Sequence, residues 1–414
     1  MSGHYTERTH TQDRRRFLKT VALASAAGLV GVGSPEGRAD DAVTLPFENG
    51  ERPLIKYPQK RPLIRVTSRP PQLETPFAVF NESVLTPNDA FFVRYHLSEI
   101  PLSVNQDTFR VRVQGSVATP LELSLADLKS KFQKSEIVAV NQCSGNGRGF
   151  FQPRVAGGQL GNGAMGNARW TGVPLKLILD RAGVSAGARQ VTFRGLDSAV
   201  NPRTPEFVKA LDLDHARDGE VMLAYAMNGA DLPMLNGYPL RLVVPGYYGT
   251  YWVKHVSEIT VVNDVFGGYW MNPAYRIPAN ACGCVEPGAT PTATVPIGRF
   301  NVRSFITSHQ NGDTIKLDEP TIVKGIAFDG GFGVNEVLFS RDGGQVWQRA
   351  ELDDDLGKYS FRGWRIVLTA NRPGPSTLMA RATNRIGQSQ PLEPLWNPAG
   401  YLRNVVETVK VNVV

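Results

Sequence analysis

The sequence reads Ile137-Val138-Ala139-Val140-Asn141-Gln142-Cys143-Ser144-Gly145-Asn146-Gly147-Arg148 around its one isolated cysteine. Four consecutive apolar residues predict a buried strand that ends just before the thiol. The Ser-Gly-Asn-Gly sequence that follows is typical of a tight polar loop, where backbone can approach a bulky ligand. A thiolate at a strand end, with Arg148 five residues on, suits a soft metal that meets an anionic substrate. The alternative is that Cys143 is a small buried apolar side chain.

The other two cysteines, Cys282 and Cys284, are separated by one glycine. A disulfide between them would close a small, strained ring, so a bridge and two free thiols both remain open from the sequence. The chain contains no Cys-x-x-Cys-His motif, which argues against a covalently attached haem. It also contains no His-Glu-x-x-His and no paired Cys-x-x-Cys motif, so we expect no zinc site.

The first 39 residues have the features of an export signal. Asp13-Arg14-Arg15-Arg16-Phe17-Leu18-Lys19 precedes an apolar stretch rich in Ala and Gly, and Gly37-Arg38-Ala39 provides a small residue at its exit. The apolar stretch has about 14 residues, whereas a membrane-spanning helix needs about 20. The paired arginines resemble a twin-arginine signal, which a receptor reads and which does not anchor the protein. We expect cleavage near Ala39 and a periplasmic protein without a membrane span; the alternative is a disordered basic tail.

The composition is that of an ordinary globular protein of about two domains. Of its 414 residues, 42% are hydrophobic and 20% are charged, and the 41 Gly and 29 Pro favour strands and loops over long helices. The formal charge of +7 falls to +4 when the six basic and three acidic residues of 1–39 are removed. We find no basic run beyond this leader, so nucleic-acid binding is not expected.

Patterns along the mature chain predict an α+β fold followed by a second, all-β domain. Residues 40–75 are rich in proline and predict an extended arm. Residues 76–284 alternate short apolar strands with a few helices, and residues 285–297 form a Pro/Thr linker. In residues 298–414, strand signals recur about every 8–12 residues with turns between, which predicts a β-sandwich of the immunoglobulin type.

Two helices and one misleading motif lie within the predicted α+β domain. A short helix is expected after Ser124, with Asp127 placed almost as in a capping box, and a second helix is expected between Pro174 and Gly183. The stretch Gly161-Asn162-Gly163-Ala164-Met165-Gly166 matches G-x-G-x-x-G, but it follows no clear apolar strand and opens no convincing helix. We therefore interpret it as a flexible loop and not as a dinucleotide site.

The chain resembles the sulfite oxidase family, and more narrowly the molybdenum subunits of periplasmic bacterial sulfite dehydrogenases. The resemblance covers nearly all of the predicted mature chain. It depends on several motifs that occur in the same order, and such a set is far more specific than any one of its members. These motifs are Phe91-Phe92-Val93-Arg94-Tyr95-His96, Gln142-Cys143-Ser144-Gly145-Asn146, Asn167-Ala168-Arg169-Trp170-Thr171-Gly172-Val173, Gly195-Leu196-Asp197-Ser198, Arg241-Leu242-Val243-Val244-Pro245-Gly246-Tyr247-Tyr248-Gly249 and Ala382-Thr383-Asn384-Arg385-Ile386-Gly387-Gln388-Ser389-Gln390-Pro391.

This resemblance implies a molybdopterin domain followed by a β-sandwich of the family's dimerisation type. The implied cofactor is one mononuclear molybdenum on a single pyranopterin, with Cys143 as the protein ligand to the metal and no haem in this chain. The residues that match the family's substrate pocket are Arg94, His96, Arg148 and Tyr275. The residues that match its pterin contacts are Tyr95, His96, Asp197, Asn236, Arg241, Trp252 and Lys254. Tyr95, Asn236 and Trp252 depart from some relatives, which would move contacts in the pterin pocket.

The resemblance further implies that the protein oxidises sulfite to sulfate and passes electrons to a small c-type cytochrome. A heterodimer with that haem subunit is favoured, and a homodimer remains open. One alternative is a sulfane dehydrogenase of thiosulfate oxidation on the same scaffold. Methionine sulfoxide reductases of the family are a weaker alternative, because they usually lack the C-terminal sandwich. The last alternative is a metal-free assembly or binding protein, against which the intact Cys143 and its surrounding cations speak.

Overall fold

The computed structural model describes residues 42–45, 47 and 50–414. The predicted signal peptide at 1–39 lies outside these residues. Within the described part, no helix has the length and apolar character needed to cross a membrane.

The proline-rich stretch near the start supplies four strands to an antiparallel sheet. Each strand is short, because prolines interrupt the backbone hydrogen bonding. The fifth strand comes from further along the chain and ends at Arg94. Its pairing with β4 fixes the position of the backbone at Arg94. In order, the strands are β1 (Ala42–Thr44), β2 (Glu51–Ile55), β3 (Leu63–Ser68), β4 (Pro71–Glu74) and β5 (Val93–Arg94).

Two further sheets and three α-helices form the middle of the chain. Their elements are β6 (Val111–Gly115), β7 (Leu121–Leu123), α1 (Leu125–Lys131), β8 (Ser135–Gln142), β9 (Met165–Pro174), α2 (Leu175–Ala182), β10 (Gln190–Arg194), β11 (Val208–Asp212), α3 (Leu213–Ala216), β12 (Met222–Met227), β13 (Ala230–Asp231), β14 (Arg241–Val243) and β15 (Glu258–Val262). One sheet has the order β11-β10-β15-β6-β7, and the other has the order β13-β12-β9-β8 with β14 beside β12. The strand before Cys143, β8, pairs with β9 along its whole length, so its register is fixed.

Both helices expected from the sequence form, with the expected ends. The Ser124 hydroxyl accepts the backbone N–H of Asp127 and the Asp127 carboxylate accepts the N–H of Ser124, so α1 begins with a complete capping box. Helix α2 begins after Pro174 and ends at Gly183, whose φ of 70° is the left-handed conformation that glycine adopts at low cost. The G-x-G-x-x-G match runs from a loop into the start of β9 and opens no helix.

The C-terminal part builds two larger sheets whose buried side chains share one hydrophobic cluster. The sheets have the orders β18-β20-β24-β23 and β19-β26-β25-β21-β22, and Val323 and Trp364 of the first meet Val337 and Leu378 of the second in that cluster. The immunoglobulin type itself stays a prediction. The strands are β16 (Arg276–Pro278), β17 (Thr294–Pro296), β18 (Arg303–Ile306), β19 (Thr314–Ile315), β20 (Pro320–Phe328), β21 (Val334–Ser340), β22 (Gln348–Arg349), β23 (Glu351–Leu352), β24 (Arg362–Thr369), β25 (Gly374–Asn384) and β26 (Thr408–Val413).

The largest hydrophobic cluster crosses the predicted linker at 285–297. It contains Trp170 and Trp252 from the middle of the chain together with Phe300 and Phe328 from the C-terminal part. The two parts therefore share a core, although the predicted boundaries divide them in sequence. The described residues contain 26 strands and three α-helices, so the α+β prediction understates how much of this protein is β-structure.

Candidate active site

A cavity that opens to solvent lies at the end of β8. Four separated stretches of the chain meet there: the end of β5, the loop after β8, the segment from Asn236 to Lys254, and the segment around Tyr275. The fold thus brings together most of the residues that the sequence singles out. Those that line the cavity are Arg94, His96, Cys143, Asn236, Arg241, Trp252, Lys254 and Tyr275.

Cys143 is held at the cavity by its backbone. Its N–H donates to the Ala164 carbonyl at 2.9 Å, and its own carbonyl accepts the N–H of Asn146 at 3.0 Å, which closes a turn. The thiol is partly exposed, and Cys143 is the one free cysteine in the described chain, because Cys282 and Cys284 form a disulfide. Of the two possibilities that the sequence left open for that pair, the structure has the bridge.

The cavity wall carries buried polar atoms that have no hydrogen-bond partner among the described residues. They include Asn141 Oδ1, Ser144 Oγ and Arg241 Nε. Leaving such an atom unsatisfied costs about 1–3 kcal/mol, so their presence at one cavity indicates a polar ligand. Gly249 lets that wall come close, since a Cβ there would lie 2.4 Å from Asn141 Oδ1.

Two buried cations, Arg241 and Lys254, give the deep end of the cavity its charge. The guanidinium of Arg241 lies 4.9 Å from the Trp170 ring and 5.6 Å from the Trp252 ring, and burial lowers its pKa to about 9. Burial, with the nearby charge of Arg241, lowers the pKa of Lys254 to about 7. Lys254 donates to the carbonyl of Arg94 at 2.6 Å. An anionic group bound here would offset the cost of keeping both cations out of water.

His96 and Tyr275 form a hydrogen-bonded pair at the cavity, between His96 Nε2 and the Tyr275 hydroxyl. The ring of His96 is stacked on Phe207, with centroids 3.8 Å apart and planes 12° apart. Burial holds the pKa of His96 well below its usual range, and so do the charges of Arg94, Lys254 and Lys209. The imidazole is therefore neutral at neutral pH. Burial also raises the pKa of Tyr275, which keeps its hydroxyl protonated.

Three of the residues singled out from the sequence do not line the cavity, namely Tyr95, Asp197 and Arg148. Tyr95 lies behind it, where its hydroxyl meets His255 Nε2 at 2.6 Å. The other ring nitrogen of His255 faces the Tyr238 carbonyl, which can only accept, so Nδ1 carries the hydrogen and Tyr95 is the donor to Nε2. Asp197 lines a separate, more open cleft and reaches the site only through the electrostatic effect of its charge on Lys254.

Arg148 is buried beside the cavity, in a space that glycines leave free. A Cβ at Gly145 or at Gly157 would lie less than 3.0 Å from its guanidinium. Its Nε donates to the Ala399 carbonyl at 3.2 Å, and its guanidinium lies 5.0 Å from the Tyr401 ring. Tyr401 in turn is stacked on Tyr275, with centroids 5.5 Å apart. Arg148 therefore contacts Tyr401 of the C-terminal segment, and Tyr401 contacts Tyr275 at the cavity.

Several residues of the site were not found by sequence reasoning, and Lys209 and Phe207 are the clearest examples. Phe207 stacks on His96, and Lys209 lies 4.9 Å from the centroid of Tyr275. The available signal was weak: a lysine two residues after a phenylalanine in an apolar stretch places both on one side of a strand. A surface lysine produces the same pattern.

The donor set suits a soft metal on a large anionic cofactor. In the described chain, no group of three or more His, Cys, Asp or Glu side chains could hold a metal ion. A metal at Cys143 would need ligands from a cofactor as well as from the protein. The thiol, the unsatisfied polar atoms and the two buried cations face the same cavity, as such a group requires.

Two family models match the chain. The model of the oxidoreductase molybdopterin binding domain matches residues 97–270, and that of the Mo-co oxidoreductase dimerisation domain matches residues 294–414. The first match includes Cys143 and most of the cavity wall, whereas Arg94, His96 and Tyr275 lie just outside its limits.

Curated relatives and one solved structure extend over almost the whole chain. It is 34% identical over 393 residues to mitochondrial sulfite oxidase of Rattus norvegicus, covering 91% of this chain and 70% of that protein. It is 29% identical over 382 residues to sulfite oxidase of Arabidopsis thaliana, covering 86% and 96%. The sulfane dehydrogenase SoxCD from Paracoccus pantotrophus has the same fold, with a TM-score of 0.70 at 24% identity over 95% of this chain and 96% of that one.

Proposed function

Because this chain belongs to the sulfite oxidase family of molybdenum oxidoreductases, we propose that it oxidises sulfite to sulfate and passes the electrons to a c-type cytochrome. The observation that carries the proposal is the cavity in which the one free thiol, Cys143, meets the side chains of Arg94, Arg241 and Lys254. A soft ligand with cations on either side suits a metal that bears anionic groups.

The residues present fit the molybdenum–pterin cofactor of the family. Cys143 would hold the metal, and Arg241 and Lys254 would pair with the phosphate of the pterin. Two hydrogen bonds fix the orientation of the Asn236 side chain. Its Nδ2 donates to the Phe92 carbonyl at 3.0 Å, and its Oδ1 accepts from Lys60. When bound, the molybdenum–pterin group supplies the two-electron oxidation and the transfer of an oxygen atom.

The protein supplies attraction, orientation and hydrogen bonds to the substrate. Arg94 lines the cavity, and its positive charge raises the local concentration of a small oxyanion. The Tyr275 hydroxyl, in the pair with His96, donates a hydrogen bond and holds a proton beside the reacting oxygens. Because His96 is neutral, the pair adds no positive charge of its own beside the charge of Arg94, and its ring nitrogen can take up a proton.

The acceptor, the partner and the location are part of this proposal. The two electrons of the oxidation must pass to an acceptor, and a haem protein can accept them one at a time. We propose a c-type cytochrome subunit, with a homodimer through the C-terminal domain as the alternative. The twin-arginine stretch at 14–19 supports export to the periplasm after cleavage near Ala39. N-terminal sequencing of the mature protein tests the location.

The first experiment is metal analysis of the purified protein with initial rates on sulfite, thiosulfate and a sulfoxide. We expect about one molybdenum per chain, a Mo(V) paramagnetic signal on partial reduction, and turnover of sulfite with cytochrome c or ferricyanide as acceptor. Cys143→Ser should fold and lose turnover. Turnover of a sulfane-sulfur substrate in place of sulfite would identify a sulfane dehydrogenase, and an absence of molybdenum from protein made in a cofactor-producing host would overturn the proposal.

A further inference from the structure

Lys209 is a buried cation that the proposed function does not yet use. It lies on β11, two residues after Phe207, and alternation along the extended chain turns both side chains to the same side. Phe207 stacks on His96, and Lys209 is 1% exposed behind Tyr275. The segment 207–209 thus contacts both members of the His96–Tyr275 pair.

The ammonium group of Lys209 has an unusual set of neighbours. Its Nζ donates to the Trp270 carbonyl at 2.6 Å, and it lies 4.5 Å from the Tyr251 ring centroid and 4.9 Å from that of Tyr275. Among the residues that the structure describes, no carboxylate forms an ion pair with it. A buried charge compensated by one carbonyl and two aromatic faces is costly to keep.

Tyr275 needs such support, because its backbone is strained. Its φ of 58° is a left-handed conformation, which is unfavourable for a non-glycine residue and persists only when its surroundings fix it. The contacts around its side chain include the hydrogen bond to His96, the stacked ring of Tyr401 and the ammonium of Lys209. Removing the ammonium group would take away one of these contacts.

We propose that Lys209 is a positioning residue for the oxidation of the anionic substrate. Its ammonium group holds the Tyr275 ring, and with it the His96–Tyr275 hydrogen bond, at the cavity wall, and it adds a positive charge behind that wall. This inference rests on the proposed function, in which that pair contacts the oxyanion. A lysine that served stability alone would influence neither substrate affinity nor turnover.

The test compares Lys209→Met, which removes the charge at similar length, with Lys209→Arg, which keeps it. We expect Lys209→Met to lower kcat/KM for sulfite about tenfold or more, mostly through KM, and to weaken sulfate binding by a similar factor in calorimetry on the oxidised enzyme. Lys209→Arg should restore most of both. Lys316→Met, which removes an exposed charge paired with Glu319 in the C-terminal part, is the matched control and should leave both quantities unchanged.

Lys209→Gln keeps a donor for the Trp270 carbonyl and replaces the Met variant if that one does not fold. Molybdenum content and thermal stability establish that each variant is intact. Wild-type kcat/KM and sulfate affinity in an intact neutral variant would overturn the proposal, and so would equal losses in the neutral and Arg variants. Failure of the proposed function has a different signature, since the wild-type protein itself would then not turn over sulfite.

Discussion

At the scale of single residues, Arg94 and Arg148 differ in how directly they meet the cavity. From the sequence, both are predicted to be cations of the substrate pocket. In the structure, Arg94 lines the cavity, whereas Arg148 lies beside it and bonds to Ala399 and Gly158. A substrate oxyanion would therefore form its charge-assisted hydrogen bond with Arg94.

We accordingly expect Arg94→Gln to raise the KM for sulfite by about ten- to a hundredfold, the equivalent of one charge-assisted hydrogen bond of about 1.5–3 kcal/mol. Arg148→Gln should raise it several times less. Steady-state kinetics at constant ionic strength measures both. An increase for Arg148→Gln that equals or exceeds that for Arg94→Gln would mean that Arg148 moves into the cavity when substrate binds.

Tyr275 allows a sharper substitution, because one atom separates it from phenylalanine. Tyr275→Phe keeps the ring between Tyr401 and Lys209 and removes the hydroxyl that meets His96. If this hydroxyl holds a proton beside the substrate, kcat should fall by about a hundredfold while molybdenum content and thermal stability stay normal. Tyr225→Phe, remote from the cavity, is the control. An unchanged kcat would remove the hydroxyl from the mechanism.

Motifs identified the residues whose chemistry is visible in the sequence, and they missed residues that act by packing. Cys143 stands out because its neighbours form a strand and a loop. Arg241 stands out because it belongs to a recognisable motif, and Lys254 because it matches a pterin contact of the family. Lys209 could not be found in this way, since its partners Tyr251 and Trp270 lie far from it in sequence. The state of Cys282 and Cys284 was undecided because ring strain and an oxidising location oppose each other.

At the scale of elements, β4 fastens the loop that leads into β9. The buried carboxyl of Glu74 accepts the N–H of Gly161 at 3.0 Å and that of Gly163 at 3.2 Å. Burial raises its pKa to about 7, although the two N–H groups act in the opposite direction. The loop matters for the site, because Ala164 accepts the backbone hydrogen bond of Cys143.

The pH dependence of stability tests this attachment. With its pKa raised in the folded state, Glu74 contributes stability that is fully present below the unfolded pKa of 4.5 and is lost as the pH rises to about 7. The free energy of unfolding of the wild type, relative to Glu74→Gln, should fall by about 3 kcal/mol between pH 4 and pH 8. Urea unfolding at several pH values measures the difference. A difference independent of pH would show that the carboxyl titrates normally.

The elements themselves were predictable where their signals are local. Helices α1 and α2 form as expected because Ser124, Pro174 and Gly183 act on adjacent backbone groups. The strands of the proline-rich stretch were less visible, since β1 to β4 are short and residues 75–92 separate β4 from its partner β5. Periodicity describes one segment at a time and cannot show which segments pair.

At the scale of the whole molecule, Arg303 joins the C-terminal part to the loop that carries the thiol. It is 1% exposed, and its guanidinium donates to Gln142 at 3.3 Å, to Asn162 at 3.0 Å and to Glu407 at 3.3 Å. Gln142 directly precedes Cys143. A change in the C-terminal part can therefore reach Cys143 through two side chains.

Replacing Arg303 should cost more than replacing an exposed arginine of the same domain. Arg303→Met leaves Glu407 and the two amide oxygens without this donor, and we expect a loss of about 3 kcal/mol in the free energy of unfolding. Arg365→Met, which breaks exposed pairs with Glu351 and Asp353, should cost far less, because water already screens those pairs. Thermal or urea unfolding measures both variants. Equal costs would mean that Arg303 acts as a surface residue.

Because the two parts share a hydrophobic core, we expect a chain that is cut at the linker to lose packing contacts. Phe305 packs against Phe77 with centroids 5.5 Å apart, and Phe361 packs against Phe80 at 6.0 Å. The backbone N–H of Val140 in β8 donates to the Tyr359 carbonyl at 2.9 Å. A chain that ends at residue 297 loses all three partners and exposes a large apolar surface next to the strand that positions Cys143.

We therefore expect the 1–297 fragment to aggregate or to lack cooperative unfolding and near-ultraviolet circular dichroism. Co-expression with residues 298–414 as a separate chain should restore both, because the lost contacts are non-covalent. A monomeric 1–297 fragment that unfolds cooperatively would show that the predicted boundary separates independent domains. The covalent link would then serve to bring two stable units together, and the C-terminal part would not be needed to hold the strand before the thiol in place.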